Sequence, residues 1–372
     1  MPMNHRGRHM AWLRGEKADR VPDWEFRTWN QTITRWHKEG LPAKYGNRHD
    51  ALTHYFHTDD EYDGPSPWVA TEVWPAFEYK VLEEKGDHRI VQDEDGATAE
   101  MMRPELGASI PRYLRYAIET REDWEKIRNE RLDPDNPARI PADLEVVCKA
   151  SYTANYPVTV WAGSTYGRIR NWMGVENLSV ALMEDPGWVT EMLEHLTVLK
   201  LKTLSRLVGK CRVDRTDWWE DMCYNAGPLI SPRQFNELMV PRYARVTALM
   251  REGCGCKFNM LDCDGNIHAL VPLWVRAGIN VMFPLEAPHT DAYRISREFG
   301  SRVPLRGYFD KRALIAGPQA IDAEFARLAP LLATGYFAPH TDHLVPPDVS
   351  FANYVYYRKK KCQVIGKEYR EG

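Results

Sequence analysis

From residue 156 onward, short apolar runs alternate with helical stretches about six times, and this alternation limits the possible folds more than any other feature. Strands are expected at 156–162 (YPVTVWA), 213–219, 257–261, 280–283, 303–306 and 336–339, with helices over 176–208, 232–251, 268–277, 291–299 and 320–332. Short links between such units lay the strands side by side and parallel. Extended N-terminal pieces, beginning with 21–26 and set up by Pro22, bring the count to about eight, the number that closes a barrel. No Gly-x-Gly-x-x-Gly turn follows a strand, so an α/β fold of the (β/α)8 TIM barrel type is expected in place of an open doubly wound sheet.

The barrel should span 21–360, behind a helical N-terminal extension over 1–20. Within it, 62–150 reads as an excursion and linker covering one end of the barrel. It opens with an antiparallel section to residue 103 whose Glu94, Asp95 and Gly96 signal a hairpin, and it closes with a Pro-rich surface linker at 133–143. At 372 residues and 44% hydrophobic content the chain can bury a full core. Its net charge of −3 gives no electrostatic reason to expect nucleic acid or an anionic membrane, which leaves small molecules and proteins as partners. The seven cysteines are scattered rather than spaced as a disulfide framework, as expected in a reducing cytoplasm. The N-terminus lacks the apolar core of a secretory signal, and no window approaches the roughly 20 apolar residues of a membrane span, so a cytoplasmic protein is expected.

Catalytic groups of a TIM barrel sit at the C-terminal ends of its strands. The stretch 257–267, KFNMLDCDGNI, ends an apolar run in two carboxylates around a thiol and then a glycine turn. The same pattern recurs at 213–222 (VDRTDWWEDM) and 335–347 (GYFAPHTDHLVPP), so strand ends should converge on one site. The rule selects Glu25, Glu220, Asp221, Asp262, Asp264, Glu286, Asp310 and His343. Glu286 and Asp310 read as caps of the helices that follow, and Asp264 reads equally as a cap or a ligand. His343, beside an aspartate on a Pro-stiffened loop, reads as a ligand or an acid/base group. Cys254 and Cys256 precede their strand at the end away from catalysis, and Cys263 should point opposite to Asp262 and Asp264 because side chains alternate along a strand. Trp24, Trp161, Trp218 and Trp219 near strand ends could wall an aromatic or quaternary-ammonium ligand or simply pack the core.

Three segments carry a resemblance: DWWEDMCYNAGPLISPRQFNELMVPRY, LDCDGNIHALVPLWVRAGINVMFPLE with its sequel FGSRVPLRGYFDKRALIAG, and the tail GYFAPHTDHLVPPDVSFANY. Together, over 21–357, the chain resembles the uroporphyrinogen decarboxylase superfamily, a (β/α)8 barrel group of porphyrinogen decarboxylases and cobalamin-linked methyltransferases. The true decarboxylases resemble one another in an Arg-Gln-Ala-Gly-Arg-Tyr stretch that binds substrate carboxylates. Here DWEFRTWNQT stands instead, leaving Arg27 as its one guanidinium, and a single Arg cannot neutralise a ring of carboxylates. The opening RVPDWEFRTWNQTITRWHKEGLP is similar to members found beside corrinoid proteins and linked to demethylation of methyl ethers and related donors.

The resemblance therefore implies a methyltransferase that moves a methyl group from a small methylated donor to a corrinoid (cobalamin) on a corrinoid-binding partner protein, with a homodimer as the default assembly. Members acting on coenzyme M carry zinc on a His-x-Cys strand end and a later Cys. By position, those ligands fall on Asp262, Asp264 and His343, an oxygen-rich set that still admits zinc. Implied roles are His343, Glu220 and Glu25 in catalysis, and Trp24, Trp161 and Trp219 in binding. The alternatives are a cofactor-free decarboxylase of porphyrin type and a non-catalytic binder of a tetrapyrrole or corrinoid protein.

Overall fold

The computed structural model describes residues 3–47, 49–59, 64–103 and 111–372. Ahead of the barrel strands lies a four-stranded antiparallel sheet: β1 (Lys80–Lys85), β2 (His88–Gln92), β3 (Thr98–Met102) and β4 (Arg112–Arg115). The barrel begins with β5 (Thr159–Gly163) and β6 (Arg215–Trp219), and a two-residue hairpin, β7 (Cys223–Tyr224) and β8 (Gly227–Pro228), leaves the end of β6. Four more strands follow: β9 (Phe258–Asp262), β10 (Val281–Leu285), β11 (Leu305–Phe309) and β12 (Phe337–Thr341). The ladder runs β12-β11-β10-β9-β6-β5 with every pair parallel, so all six strands expected from 156 onward are present as read.

Two extended segments fill the ring between β12 and β5. Thr28 bridges Val345 in parallel, and Asp59 N donates to Asp23 O at 2.9 Å. On the other side, Thr71 Oγ1 donates to Trp161 O at 3.4 Å and Thr159 N to Ser66 Oγ at 3.2 Å. Pro22, Pro65 and Pro67 lack the N–H that a regular ladder needs, which accounts for pairing by single bridges and side chains at these two places. The result is a (β/α)8 barrel.

The N-terminal extension is a plug. Helix His5–Arg14 ends on Gly15 in the left-handed region (φ 62°), and its Trp12 and Leu13 pack with Met260, Val281 and Ala338 inside the barrel. Arg6 secures it through two bonds of 2.7 and 2.8 Å to Asp214, the residue before β6. The N-terminal end of the barrel is thereby closed, and ligands enter from the C-terminal end.

The excursion is antiparallel as expected, with an additional strand in β4, although residues 62 and 63 at its start lie outside the described residues. The tip of the 93–97 hairpin reaches helix Tyr166–Met173, where Asp95 accepts from Asn171 Nδ2 at 3.0 Å and pairs with Arg168. That helix follows β5, so the excursion covers the C-terminal mouth. The 133–143 linker is not wholly superficial. Arg139 is fully buried and donates to Ala70 O, Asp133 O and Arg131 O, satisfying carbonyls that an imperfect ladder leaves open. No helix among the described residues is long and apolar enough to cross a membrane.

Candidate functional site

Alternation along the strands sends one set of side chains to the surrounding helices and the other to the barrel axis. On β6, Trp218 faces outward, its indole bonded to Thr216 Oγ1 at 2.9 Å and its ring edge-on to Tyr243. Inward go Asp217 on β6, Met260 and Asp262 on β9, Phe283 on β10 and Arg306 on β11. With Trp24, Phe26, Arg27, Trp161 and His343 they line a cavity of about 570 Å³.

At its mouth, Asp221, Asp262 and Asp264 bring carboxylate oxygens within 4.8 Å of one another. His343 Nε2 stands 3.3 Å from Asp264 Oδ2. The structure thus gathers the three residues expected to share a site and adds Asp221, which the ligand reading had left out. Local backbone geometry makes the gathering possible. Asp221 sits at φ 40°, a conformation rare for a side-chain-bearing residue, and its Oδ1 accepts from Asp264 N at 3.2 Å. Gly265 (φ 83°) lies against the Tyr224 backbone, where a Cβ would come within 2.7 Å, and its N donates to Glu286 Oε2 at 2.7 Å. Glu286 therefore fixes the turn after Asp264 instead of capping a helix, whereas Asp310 does cap, accepting from Arg312 N at 2.9 Å. Cys263 is buried and turned away, as alternation requires, and Cys254 and Cys256 are buried too.

Crowding sets the electrostatics. Burial, reinforced by the charge of Asp264, pushes the Asp221 carboxyl up to about 6. Burial and both neighbouring aspartates push Asp262 well above the usual carboxylate range. Burial alone would make His343 a weaker base, but its bond to Asp264 more than compensates and the net shift is upward.

The other two groups expected in catalysis are occupied elsewhere. The Glu220 side chain is buried and accepts from Ser164 Oγ (3.1 Å), Thr165 N (2.9 Å) and Gly167 N (2.7 Å), so it anchors the start of helix Tyr166–Met173. Glu25 lines the cavity with its backbone, but its carboxylate is held by Tyr357, Arg358 and Lys361 from the C-terminal helix. Sequence spacing could not reveal either partnership, because the partners lie more than 50 residues away. Replacing Glu220 by Gln turns an amide N–H₂ toward backbone donors. Glu220→Gln should therefore lose about 1–3 kcal/mol in chemical denaturation; a pure proton-transfer role would leave stability intact.

Of the tryptophans, Trp24 and Trp161 line the cavity, and Trp218 borders it while its ring packs on Tyr243. Trp161 Nε1 donates to Glu72 Oε2 at 2.8 Å, which fixes its ring at the rim. Trp219 lies outside the lining, stacked under Arg170 at 5.2 Å and bonded to Asp221, so it supports the acid cluster. Sequence reasoning missed Phe26, Phe283, Asp217 and Arg306. A signal for Arg306 was available: an arginine inside an apolar strand, LRGYF, has few places to go except the barrel axis.

The profile of the family "Uroporphyrinogen decarboxylase (URO-D)" matches residues 98–355, well over half of the chain. The chain belongs to the uroporphyrinogen decarboxylase family. Among solved structures, a methyltransferase from Methanosarcina mazei aligns with this family member at TM-score 0.58 and 14% identity, covering 97% of this chain and 99% of its own. At that identity the likeness speaks for the fold. A Cellulomonas fimi endo-beta-1,4-mannanase double mutant aligns over 56% of this chain and 55% of its own, at 12% identity and a TM-score of 0.30, too low to carry an argument. No curated protein matches the chain.

Proposed function

We propose that this protein moves a methyl group from a small methylated donor, a methyl ether or methylamine, to a corrinoid carried by a partner protein. The observation that supports this reading best is the joining of an aromatic-walled cavity to a carboxylate and histidine cluster at its mouth. Transfer of a methyl group from oxygen or nitrogen leaves a basic atom behind, and a proton or cation beside that atom lowers the barrier.

The cluster fits a divalent metal. Three carboxylates crowded together repel, and the Asp262 carboxylate makes no hydrogen bond among the described residues, so the group is electrostatically incomplete without a proton or a cation. Asp221, Asp262, Asp264 and His343 offer oxygen donors and one imidazole, a set that suits zinc or a harder divalent ion. When bound, such an ion polarises the leaving oxygen or nitrogen. The chain's own groups do the rest. His343, made more basic by Asp264, orients or protonates the leaving atom, while Trp24, Phe26 and Phe283 hold the donor and keep water away.

A volume of about 570 Å³ falls within the ~300–1,000 Å³ of small-molecule sites. It accommodates the donor, and the larger acceptor approaches over the open mouth. Porphyrinogen decarboxylation is disfavoured because Arg20 is paired with Asp59 at 2.7 Å and Arg215 with Asp217 at 2.6 Å, which leaves too few guanidinium groups at the cavity to match a ring of carboxylates.

The test offers purified protein both reactions. About one equivalent of divalent metal, lost in Asp264→Asn, and methylation of a reduced corrinoid in the presence of a methyl donor are expected. Formation of coproporphyrinogen with release of carbon dioxide from uroporphyrinogen III would replace this reading by the decarboxylase.

A further inference from the structure

We infer that Cys148 and Cys211 form a buried dithiol that hydrogen peroxide converts to a disulfide, a modification site that fastens the N-terminal end of the barrel. Two observations carry the inference: the approach of the two sulfurs, and the hydrogen bonds that hold their backbones together.

Cys148 lies in helix Leu144–Ser151, where the excursion and linker rejoin the barrel, and Cys211 lies in the loop that leads into β6. Their Sγ atoms stand 2.7 Å apart, against about 2.05 Å in a disulfide bond. Around them, Ser151 Oγ donates to Cys148 O at 2.6 Å and accepts from Arg212 N at 2.9 Å, and Arg212 Nη2 donates to Ser151 O at 2.8 Å. The two segments therefore already present their cysteines to each other, and cross-linking asks for little movement of the backbone. Cys254, which ends helix Val240–Cys254, is a third thiol in this region. Its carbonyl accepts from Val213 N at 3.1 Å, and it lies near enough to act electrostatically on Cys211. It is a competitor for the pairing, and the close contact of the other two sulfurs decides against it.

Burial pushes the Cys211 thiol up, and that of Cys254 up to about 11, so these sulfurs are protonated at neutral pH. Cys148 and Cys211 are both buried, which shuts out bulky disulfides and thiolates. Hydrogen peroxide is small and uncharged, and it is the oxidant that fits such a place. One sulfur, as its thiolate, attacks a peroxide oxygen; the O–O bond breaks, one water leaves and a sulfenic acid forms. The partner sulfur then attacks the sulfenic sulfur, the S–O bond breaks, and the second oxygen leaves as water with the partner's proton. Two thiols thus give two electrons and two protons to one peroxide, which becomes two waters. The bond closes a loop that contains β5 and the helices after it, among them Tyr166–Met173, whose Arg170 donates to the Asp221 carbonyl.

The experiment takes the intact protein, reduced with dithiothreitol and then freed of it, and exposes it to hydrogen peroxide without denaturant. The first two of its seven thiols to be lost should appear as one cross-linked peptide pair holding Cys148 and Cys211, and reduction after unfolding should restore all seven. The melting temperature of the oxidised form should rise by about 5 °C, because the cross-link restricts the unfolded chain. Cys148→Ala and Cys211→Ala should each abolish the cross-link and the rise, whereas Cys254→Ala should keep both. Retention of all seven thiols, a first disulfide that involves Cys254 or any other cysteine, thiol loss that reduction does not restore, or a cross-linked form that melts no higher overturns the proposal.

Discussion

His343→Ala should reduce methyl transfer by about 10²- to 10⁴-fold, the range commonly lost with a positioned proton donor or acceptor. The expectation follows from placement. His343 lies in the cavity lining, 3.3 Å from Asp264, with the Phe26 ring edge-on at 5.7 Å fixing its orientation. Because the imidazole is partly exposed and packs on Phe26, which Phe283 holds from behind, its removal should leave the fold intact, and the melting temperature should move little. Two measurements separate its possible duties. If His343 chiefly ligates the metal, His343→Ala and Asp264→Asn should both lose bound metal. If it chiefly moves a proton, the metal stays and added imidazole restores part of the rate. Activity within about threefold of the unaltered protein would remove His343 from the mechanism, and with it the role assigned to the cluster.

How far this site can be read from sequence depends on what positions each residue. Asp262, Asp264 and His343 follow apolar strands directly, and a barrel brings such strand ends together whatever the loops do. Asp221 was harder to assign, since it belongs to the same strand end as Glu220 and only the backbone turn at Asp221 decides which carboxylate faces the cluster. Regular alternation from Asp217 and Trp219 points to Asp221, but the strand ends at Trp219, and beyond it alternation no longer fixes the direction of a side chain. Glu25 failed for a different reason. It alternates correctly with Trp24 and Phe26, but alternation also directs it outward toward a helix more than 300 residues later, whose Arg358 and Lys361 claim it. The β-strands of the second half were legible because their apolar runs are short and bounded. The first-half segments at 21–28 and 64–72 carry prolines (Pro22, Pro65 and Pro67) that remove ladder bonds, so they left a weaker pattern.

The partnership that hid Glu25 yields the largest stability effect expected in this chain. Asp23 accepts from Arg358 Nη1 at 2.9 Å, from Arg358 Nη2 at 2.7 Å and from Lys367 Nζ at 2.6 Å, while Lys361 Nζ reaches Glu25 at 2.7 Å. The side chains of Asp23, Arg358 and Lys361 are wholly buried. Burial alone would push the Asp23 carboxyl up, yet the surrounding cations outweigh it and hold the group well below its usual 3.8. Arg358→Met leaves two buried carboxylates with fewer counter-charges, and removing one partner of such a set costs about 3–5 kcal/mol. Since the folded value is depressed, the stability from Asp23 is present above about pH 4 and drains away as pH falls through the native value. Urea denaturation at neutral pH should show the full loss in Arg358→Met, and the acid-induced decline of the unaltered protein should flatten in Asp23→Asn. The same cluster fixes the segment that bears Trp24, Phe26 and Arg27, so Arg358→Met should also weaken ligand binding under conditions where the protein stays folded. A change below about 1 kcal/mol would mean that water reaches these charges, and the C-terminal helix would then have no part in holding the cavity wall.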